Sequence, residues 1–230
     1  MEEAVLNPRI VEIRQNVLKK NDILARQLRK LFREAGVFVA NMVSSPGTGK
    51  TTLLTEMLTR LGKRHRVAAL VGDLATENDA ERLRESGAKV KQITTGTVCH
   101  LEAEMIGKAL EDWNLKDIDF LFIENVGNLV CPASYDLGEN LRIVLFSVTE
   151  GEDKPLKYPT IVTSADMAIL TKIDMAEAAG FQREQFHQAL YKARPGIPVF
   201  EVSARTGEGI DELIYRLEAG KKACEKAGAP

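Results

Sequence analysis

The segment Ser44-Ser-Pro-Gly-Thr-Gly-Lys-Thr51 follows a short apolar run and precedes a helical pattern. That context and spacing suit a phosphate-binding loop, G-x-x-x-x-G-K-[ST], with Ser44 standing where the motif has its first glycine. Gly47 and Gly49 let the backbone curl so that successive N–H groups face phosphate oxygens. The N-terminus of the following helix adds its dipole. Ser45, Pro46, Gly47, Thr48, Gly49, Lys50, Thr51 and Thr52 are therefore the candidate nucleotide-phosphate residues. Lys50 is expected to reach the β and γ phosphates, and Thr51 to put its hydroxyl on Mg²⁺. Asp73 and Asp79 follow the apolar run Val67–Val71, and Glu124 ends the run Asp119–Ile123 and opens Glu124-x-x-Gly127. Acids just beyond such strands hold Mg²⁺ directly or through water. Thr51, Asp79 and Glu124 form the candidate Mg²⁺ set. Lys50 and Asp73 are the candidate catalytic residues, Asp73 by positioning water. A plain helix-capping role also suits either aspartate.

A second constellation would read the base. Thr171-Lys-Ile-Asp174 follows the apolar run Met167–Leu170 and resembles the N-K-x-D motif of GTPases, with threonine in place of asparagine. A carboxylate at Asp174 can accept from guanine N1–H and N2–H₂. Adenine offers neither donor and would leave a buried charged acceptor unpaired, which costs more than an ordinary hydrogen bond gains. Lys172 would lay its alkyl stem along the base. Ser203-Ala204-Arg205, after the run Pro198–Val202, resembles the loop whose Ala204 N–H would meet guanine O6. GTP is thus the expected nucleotide. No glutamine is placed to orient the attacking water, so slow intrinsic turnover is expected.

A third set is Cys99, His100 and Cys131, the last four residues beyond Gly127. Two thiolates and an imidazole suit Zn²⁺ or Ni²⁺. Adjacent residues in a strand point apart, so Cys99 and His100 converge only in a turn. Thr94-Thr-Gly-Thr97 supplies one. Spacing alone leaves a buried thiol pair beside a structural histidine equally open. Three ligands leave the shell incomplete, to be finished by water, another side chain or a second subunit. Cys224, in a polar tail, reads as a surface thiol.

These residues need a scaffold, and the pattern supplies one. Val37–Val43, Val67–Val71, Asp119–Ile123, Ile143–Val148, Met167–Leu170 and Pro198–Val202 read as strands, with Val90–Ile93 a more polar candidate. Helical patterns at 78–85, 101–111, 183–193 and 209–219 fall between several of them. The alternation predicts an α/β fold, a mostly parallel sheet covered by helices on both faces, with an N-terminal helical extension. The expected divisions are an extension over 1–35, a nucleotide-binding domain over 36–220 and a frayed tail over 221–230. Asn21 or Asp22 could cap a second helical segment within the extension. Gly151–Pro159, polar with two prolines, reads as a loop. The 230 residues are 44% hydrophobic and 28% charged, with a net charge of −2. That balance argues against nucleic-acid and membrane binding. Three cysteines and a charged first segment point to the cytoplasm rather than an oxidising compartment.

With these residues in view the chain resembles the HypB family of GTPases, which assist nickel insertion into [NiFe]-hydrogenase. The resemblance rests on Glu124-Asn-Val-Gly-Asn-Leu-Val-Cys-Pro-Ala-Ser-Tyr-Asp-Leu-Gly-Glu139, on Val43–Thr52 and on Thr97-Val-Cys-His-Leu101, and runs from about Asn21 to about Leu217. It implies a low-turnover P-loop GTPase of the SIMIBI class that forms a GTP-favoured homodimer. It implies a Ni²⁺ or Zn²⁺ site of Cys99, His100 and Cys131 at the subunit interface. It also implies a HypA-type nickel chaperone and the hydrogenase large subunit as partners, and dimer contacts at Met175 and Ala179. No Cys or His precedes His65, so metal handling is expected to rest on that one site. The competing expectations are a metal-independent GTP switch, an accessory GTPase for another metalloenzyme such as urease, and a P-loop kinase. The last is opposed by Thr171–Asp174 and Ser203–Ala204.

Overall fold

Seven parallel strands form one sheet in the order β3-β2-β4-β1-β5-β6-β7. The computed structural model describes residues 8–73 and 78–228. The strands are β1 (Phe38–Ser44), β2 (Val67–Asp73), β3 (Lys89–Thr94), β4 (Phe120–Glu124), β5 (Leu141–Ser147), β6 (Met167–Thr171) and β7 (Val199–Glu201). The chain builds outward from β1 to β2 and β3, returns to insert β4 beside β1, then crosses to β5 on the other side. The carboxyl ends of β1 and β4 therefore border the point where strand order reverses, the ligand crevice of an open α/β sheet. Register pairs Met42 with Glu124, so the phosphate-binding loop and Glu124 leave the sheet side by side.

The helices are α1 (Pro8–Ala35), α2 (Lys50–Leu61), α3 (Asn78–Arg84), α4 (Ala103–Leu110), α5 (Lys154–Lys157), α6 (Pro159–Ser164), α7 (Arg183–Ala193) and α8 (Ile210–Gly228). They cover both faces, which is why the inner strands read as nearly continuous apolar runs. Alternation sorts the side chains. Phe120 and Phe122 pack with Leu54 and Leu58 of α2 and Leu213 and Leu217 of α8. Leu121 and Ile123 face the other way, onto Phe32 of α1 and Ile106 of α4. Val144 and Phe146 meet Ile161 of α6 and Phe186 of α7. The polar residues of β3 are explained by its place at the sheet edge, where Lys91 Nζ donates to Ala109 O at 2.9 Å and pairs with Asp112.

Three local expectations change. The N-terminal pattern forms a single helix over its described length, and Asn21 does not divide it. Instead Asn21 turns inward: its Oδ1 accepts the Ala103 N–H at 2.9 Å, and its Nδ2 donates to Asp136 O at 2.8 Å. Its capping chemistry serves the first turn of α4, across the fold. The 151–159 segment is not all loop. Pro155 and Pro159 sit in the first turns of α5 and α6, where a missing N–H costs no hydrogen bond. The tail is not frayed at 221. α8 continues to Gly228, and Lys221 Nζ donates to Gly36 O at 2.9 Å. Among the described residues no helix is long and apolar enough to cross a membrane.

Candidate functional site

The phosphate-binding loop turns from β1 into α2 through Gly47 and Gly49, whose φ angles are +75° and +93°. Side chains are strained in that region, and glycine is not. Lys50 opens α2, is buried, and its Nζ donates to Ser44 Oγ at 2.9 Å. Ser44, the departure from the motif, is thus a hydrogen-bond partner of the lysine. Burial pushes the Lys50 pKa down, with Glu124, Asp79 and Glu150 opposing.

Thr51 Oγ1 donates to Glu124 Oε1 at 2.7 Å. Glu124 is 3% exposed, and its Oε2 has no hydrogen-bond partner among the described residues. Burial pushes its pKa up to about 7, against the pull of Lys50 and the Thr51 hydroxyl. Asp73 and Asp79 line the same cleft of about 540 Å³, with Pro46, Gly47 and Lys172 on its rim. Hard oxygen donors with one buried carboxylate oxygen unpartnered fit Mg²⁺, so Thr51, Asp79 and Glu124 would hold it.

The proton on Glu124 has a measurable consequence in the metal-free chain. Its folded pKa lies above the unfolded one, so the native state binds more protons between about 4.5 and about 7. Its contribution to stability is therefore full below that window and falls as pH rises through it. Thermal melts in chelator across this range should show the decline, and Glu124→Gln should flatten it. Equal slopes for both proteins would refute the assignment.

Gly127 faces the loop from the opposite wall. A Cβ there would lie 3.0 Å from Pro46 Cγ and 3.1 Å from Pro46 Cα and N. Gly127→Ala should therefore force the 124–131 segment off the phosphate-binding loop. Overpacking of this kind costs about 1–3 kcal/mol, so nucleotide affinity should fall roughly tenfold. A fluorescent-GDP titration matching the native chain would show that the segment yields freely.

At the base end, Thr171 Oγ1 donates to Thr48 O at 2.6 Å and lies 3.1 Å from Phe146 O. The threonine that replaces asparagine thus ties the 171–174 turn to the phosphate loop. Lys172 Nζ donates to Gly47 O at 2.7 Å, and its stem passes over Gly49. Asp174 Oδ1 accepts from Ser203 Oγ at 2.6 Å, and Oδ2 from Arg205 Nε at 2.8 Å. The Ser203 bond, then the Arg205 charge, outweigh partial desolvation and lower the Asp174 pKa. Thr52, Lys172, Asp174 and Ala204 line a small pocket of about 130 Å³ beside this pair.

The structure brings the three soft ligands together. The ligand atoms of Cys99, His100 and Cys131 all lie within 4.8 Å of one another, and the two sulfurs are 3.1 Å apart. Cys131 begins a 3-10 turn to Ser134 that Pro132 stiffens. The His100 ring packs against Tyr135, tilted by 32° with centroids 3.9 Å apart. Its Nε2 is 3.3 Å from Glu102 Oε1, without the alignment of a hydrogen bond. Burial lowers the His100 pKa and Glu102 opposes. A neutral imidazole beside two thiols is a metal-ready donor set. Val130, next to Cys131, is exposed, as are Met175 and Ala179.

Two groups escaped the sequence reading. Glu150 accepts from Ser45 Oγ, from Thr48 Oγ1 at 3.3 Å and from the Ser147 N–H at 3.1 Å, bracing the phosphate loop from behind β5. Asn41 lies fully buried in β1 and joins a polar chain through Asn125 and Glu139. A lone asparagine inside an apolar strand was the available signal, since a buried amide demands partners.

The chain matches the family model "CobW/HypB/UreG, nucleotide-binding domain" over residues 38–201. It is 46% identical over 215 residues to a hydrogenase maturation factor HypB of Azotobacter chroococcum, covering 94% of this chain and 70% of that one. It is also 46% identical over 217 residues to a hydrogenase/urease maturation factor HypB of Helicobacter hepaticus, covering 93% and 89%. Among solved structures, HypB from Helicobacter pylori in complex with nickel superposes with a TM-score of 0.84 at 45% identity, covering 89% of this chain and 96% of that one.

Proposed function

The chain belongs to the CobW/HypB/UreG family of nucleotide-binding domains, and from that premise we propose that it is a metal-binding GTPase of [NiFe]-hydrogenase maturation. Its cargo is Ni²⁺ or Zn²⁺, carried by Cys99, His100 and Cys131. The observation that carries the proposal is one of continuity. A single short segment begins at Glu124, in the nucleotide cleft, and ends at Cys131, in the soft-ligand triad. Whatever the nucleotide does to the first residue is delivered to the last.

In this mechanism the loop amides and Lys50 hold the β and γ phosphates. Asp174, Lys172, Ser203 and Ala204 take the guanine, and Thr171 keeps the two loops in register. Mg²⁺, when bound by Thr51, Glu124 and Asp79, supplies positive charge to the phosphate oxygens. Asp73 orients the attacking water. Hydrolysis lets the 124–131 segment relax, as switch segments do when the γ-phosphate leaves. Cys131 then shifts against Cys99 and His100, and the cargo is released. Three protein ligands leave one position for a second subunit of a homodimer, for a HypA-type nickel chaperone, or for the hydrogenase large subunit that receives the ion.

A second reading keeps the GTP switch and makes the triad structural. A third assigns the cargo to urease, a use that the Helicobacter hepaticus relative's name includes. The deciding experiment is a Ni²⁺ and Zn²⁺ titration of the native chain and Cys131→Ala, each with GDP and with a non-hydrolysable GTP analogue. Removing one of three ligands should weaken binding by at least about tenfold and abolish its dependence on nucleotide. Equal, weak binding in all four samples would make the triad structural and the protein a plain GTP switch.

A further inference from the structure

Asn125 is the residue next to Glu124, almost completely buried, and its side chain leads straight to the soft-ligand triad. Its Oδ1 accepts the N–H of Leu101 at 3.1 Å and its neighbour's Val126 N–H at 3.0 Å. Leu101 directly follows His100. Asn125 Nδ2 donates to Asn41 Oδ1 at 3.3 Å, and Asn41 Nδ2 donates to Glu139 Oε1 at 3.1 Å. Glu139 in turn receives Arg142 Nε at 2.8 Å. Arg142 Nη2 donates to Tyr135 O at 2.6 Å and Nη1 to Ala133 O at 3.3 Å. Those two carbonyls lie within the turn that Cys131 opens (Ala133) and at the residue that closes it (Tyr135). One asparagine therefore touches both halves of the triad: His100 through one bond, and the Cys131 turn through Asn41, Glu139 and Arg142.

We propose that Asn125 is the positioning residue that sets the separation between Cys99–His100 and Cys131 according to the state of Glu124. The proposal deepens the metallochaperone reading and rests on it. The force behind it is the cost of an orphaned amide. Leu101 is fully buried, and its N–H has no water to turn to. Leaving such a donor unmade costs more than the bond itself contributes. When the backbone at 124–125 moves, the Leu101 amide follows Asn125 and takes His100 with it. The second branch, buried along its length, resists the same motion at the Cys131 turn. The difference between the two is what the metal feels. Asn128 adds a check on the same segment, donating from Nδ2 to Cys99 O at 3.2 Å.

The test uses the full chain with Ni²⁺ as the probe. Affinity and the Ni²⁺–thiolate charge-transfer band are read without nucleotide, with saturating GDP and with a saturating GTP analogue. The variants are Asn125→Ala and Asn125→Asp, the second keeping the acceptor for Leu101 while losing the donor to Asn41. For Asn125→Ala the band should become the same in all nucleotide states, and nucleotide-free Ni²⁺ affinity should fall about tenfold, the size of effect that orienting residues carry. Asn125→Asp should retain at least half of the native nucleotide response, and it decides the matter if the alanine variant does not fold. A native-size response in Asn125→Ala, or none in a folded Asn125→Asp, overturns the proposal. If the native chain itself shows no nucleotide response, the coupled-release reading fails. The nucleotide-free affinity of Asn125→Ala then judges the positioning role alone, and a value equal to the native one overturns it.

Discussion

Lys50→Ala is expected to lower GTP hydrolysis by about 100- to 1,000-fold, the range seen when a fixed charge is removed from a developing anion. The reason lies in how the lysine waits. Its ammonium is almost fully buried, tied to Ser44 Oγ, and already penalised by burial. A phosphate oxygen arriving in the cleft meets a cation with little water left to shed, so the interaction is stronger than one at an exposed lysine. Lys50→Arg should not rescue. The guanidinium is a planar fork, broader than the point charge this loop encloses. Phosphate-release kinetics at saturating GTP provide the measurement, with fluorescent-nucleotide binding as the companion. A loss smaller than about threefold would mean that the amides alone carry the transition-state charge.

Asp174→Asn should cost roughly 100-fold in GDP affinity while improving the affinity for xanthosine diphosphate, because two charge-assisted bonds are each worth about 1.5–3 kcal/mol. Guanine presents two donors on this edge, and an amide can meet only one of them with an acceptor. Xanthine carries an oxygen where guanine has its amine, and the asparagine N–H₂ pairs with it. The native carboxylate is already engaged, by Ser203 on one oxygen and Arg205 on the other. The Ser203 bond comes from a buried hydroxyl and stays. The Arg205 side chain is 80% exposed while Asp174 is 9% exposed, so the guanidinium regains water when guanine takes its place on the carboxylate. Competition titrations with GDP, ADP and xanthosine diphosphate measure the change. An unaltered preference for GDP would place base recognition elsewhere.

The parts of this molecule that could be read from the sequence are those whose chemistry is local. The phosphate loop, the Thr171–Asp174 turn and the Ser203–Ala204 turn each carry their geometry in two to eight consecutive residues, and each lies where a strand ends. The α/β fold followed from alternating patterns because strands buried on two faces leave continuous apolar runs. Cys99 and Cys131 are 32 positions apart, and their contact depends on how β3 and β4 flank β2. No spacing rule encodes that. Glu150, Asn41 and Asn125 were illegible for a related reason. Their partners come from other elements, and a polar residue in a strand or loop says only that it needs partners, not which. Asn21 misled for the opposite reason. It had the right type to cap a helix, and the helix it caps is not its own.

That asparagine has a consequence for lineage. Asn21 joins the start of α4, two residues past Leu101, to the carbonyl of Asp136, one residue past Tyr135. Arg29 reinforces the second junction by pairing with Asp136 at 2.6 Å, and Lys20 the first by pairing with Glu104 at 2.8 Å. The first helix is thereby fitted to the first turn of α4 and to the loop at Asp136, some eighty and more than a hundred positions downstream. A recombination event that swapped this helix for another, keeping the rest of the chain, would import a surface matched to foreign partners. Such a swap would leave the Ala103 N–H and the Asp136 carbonyl without the partner that Asn21 now gives them.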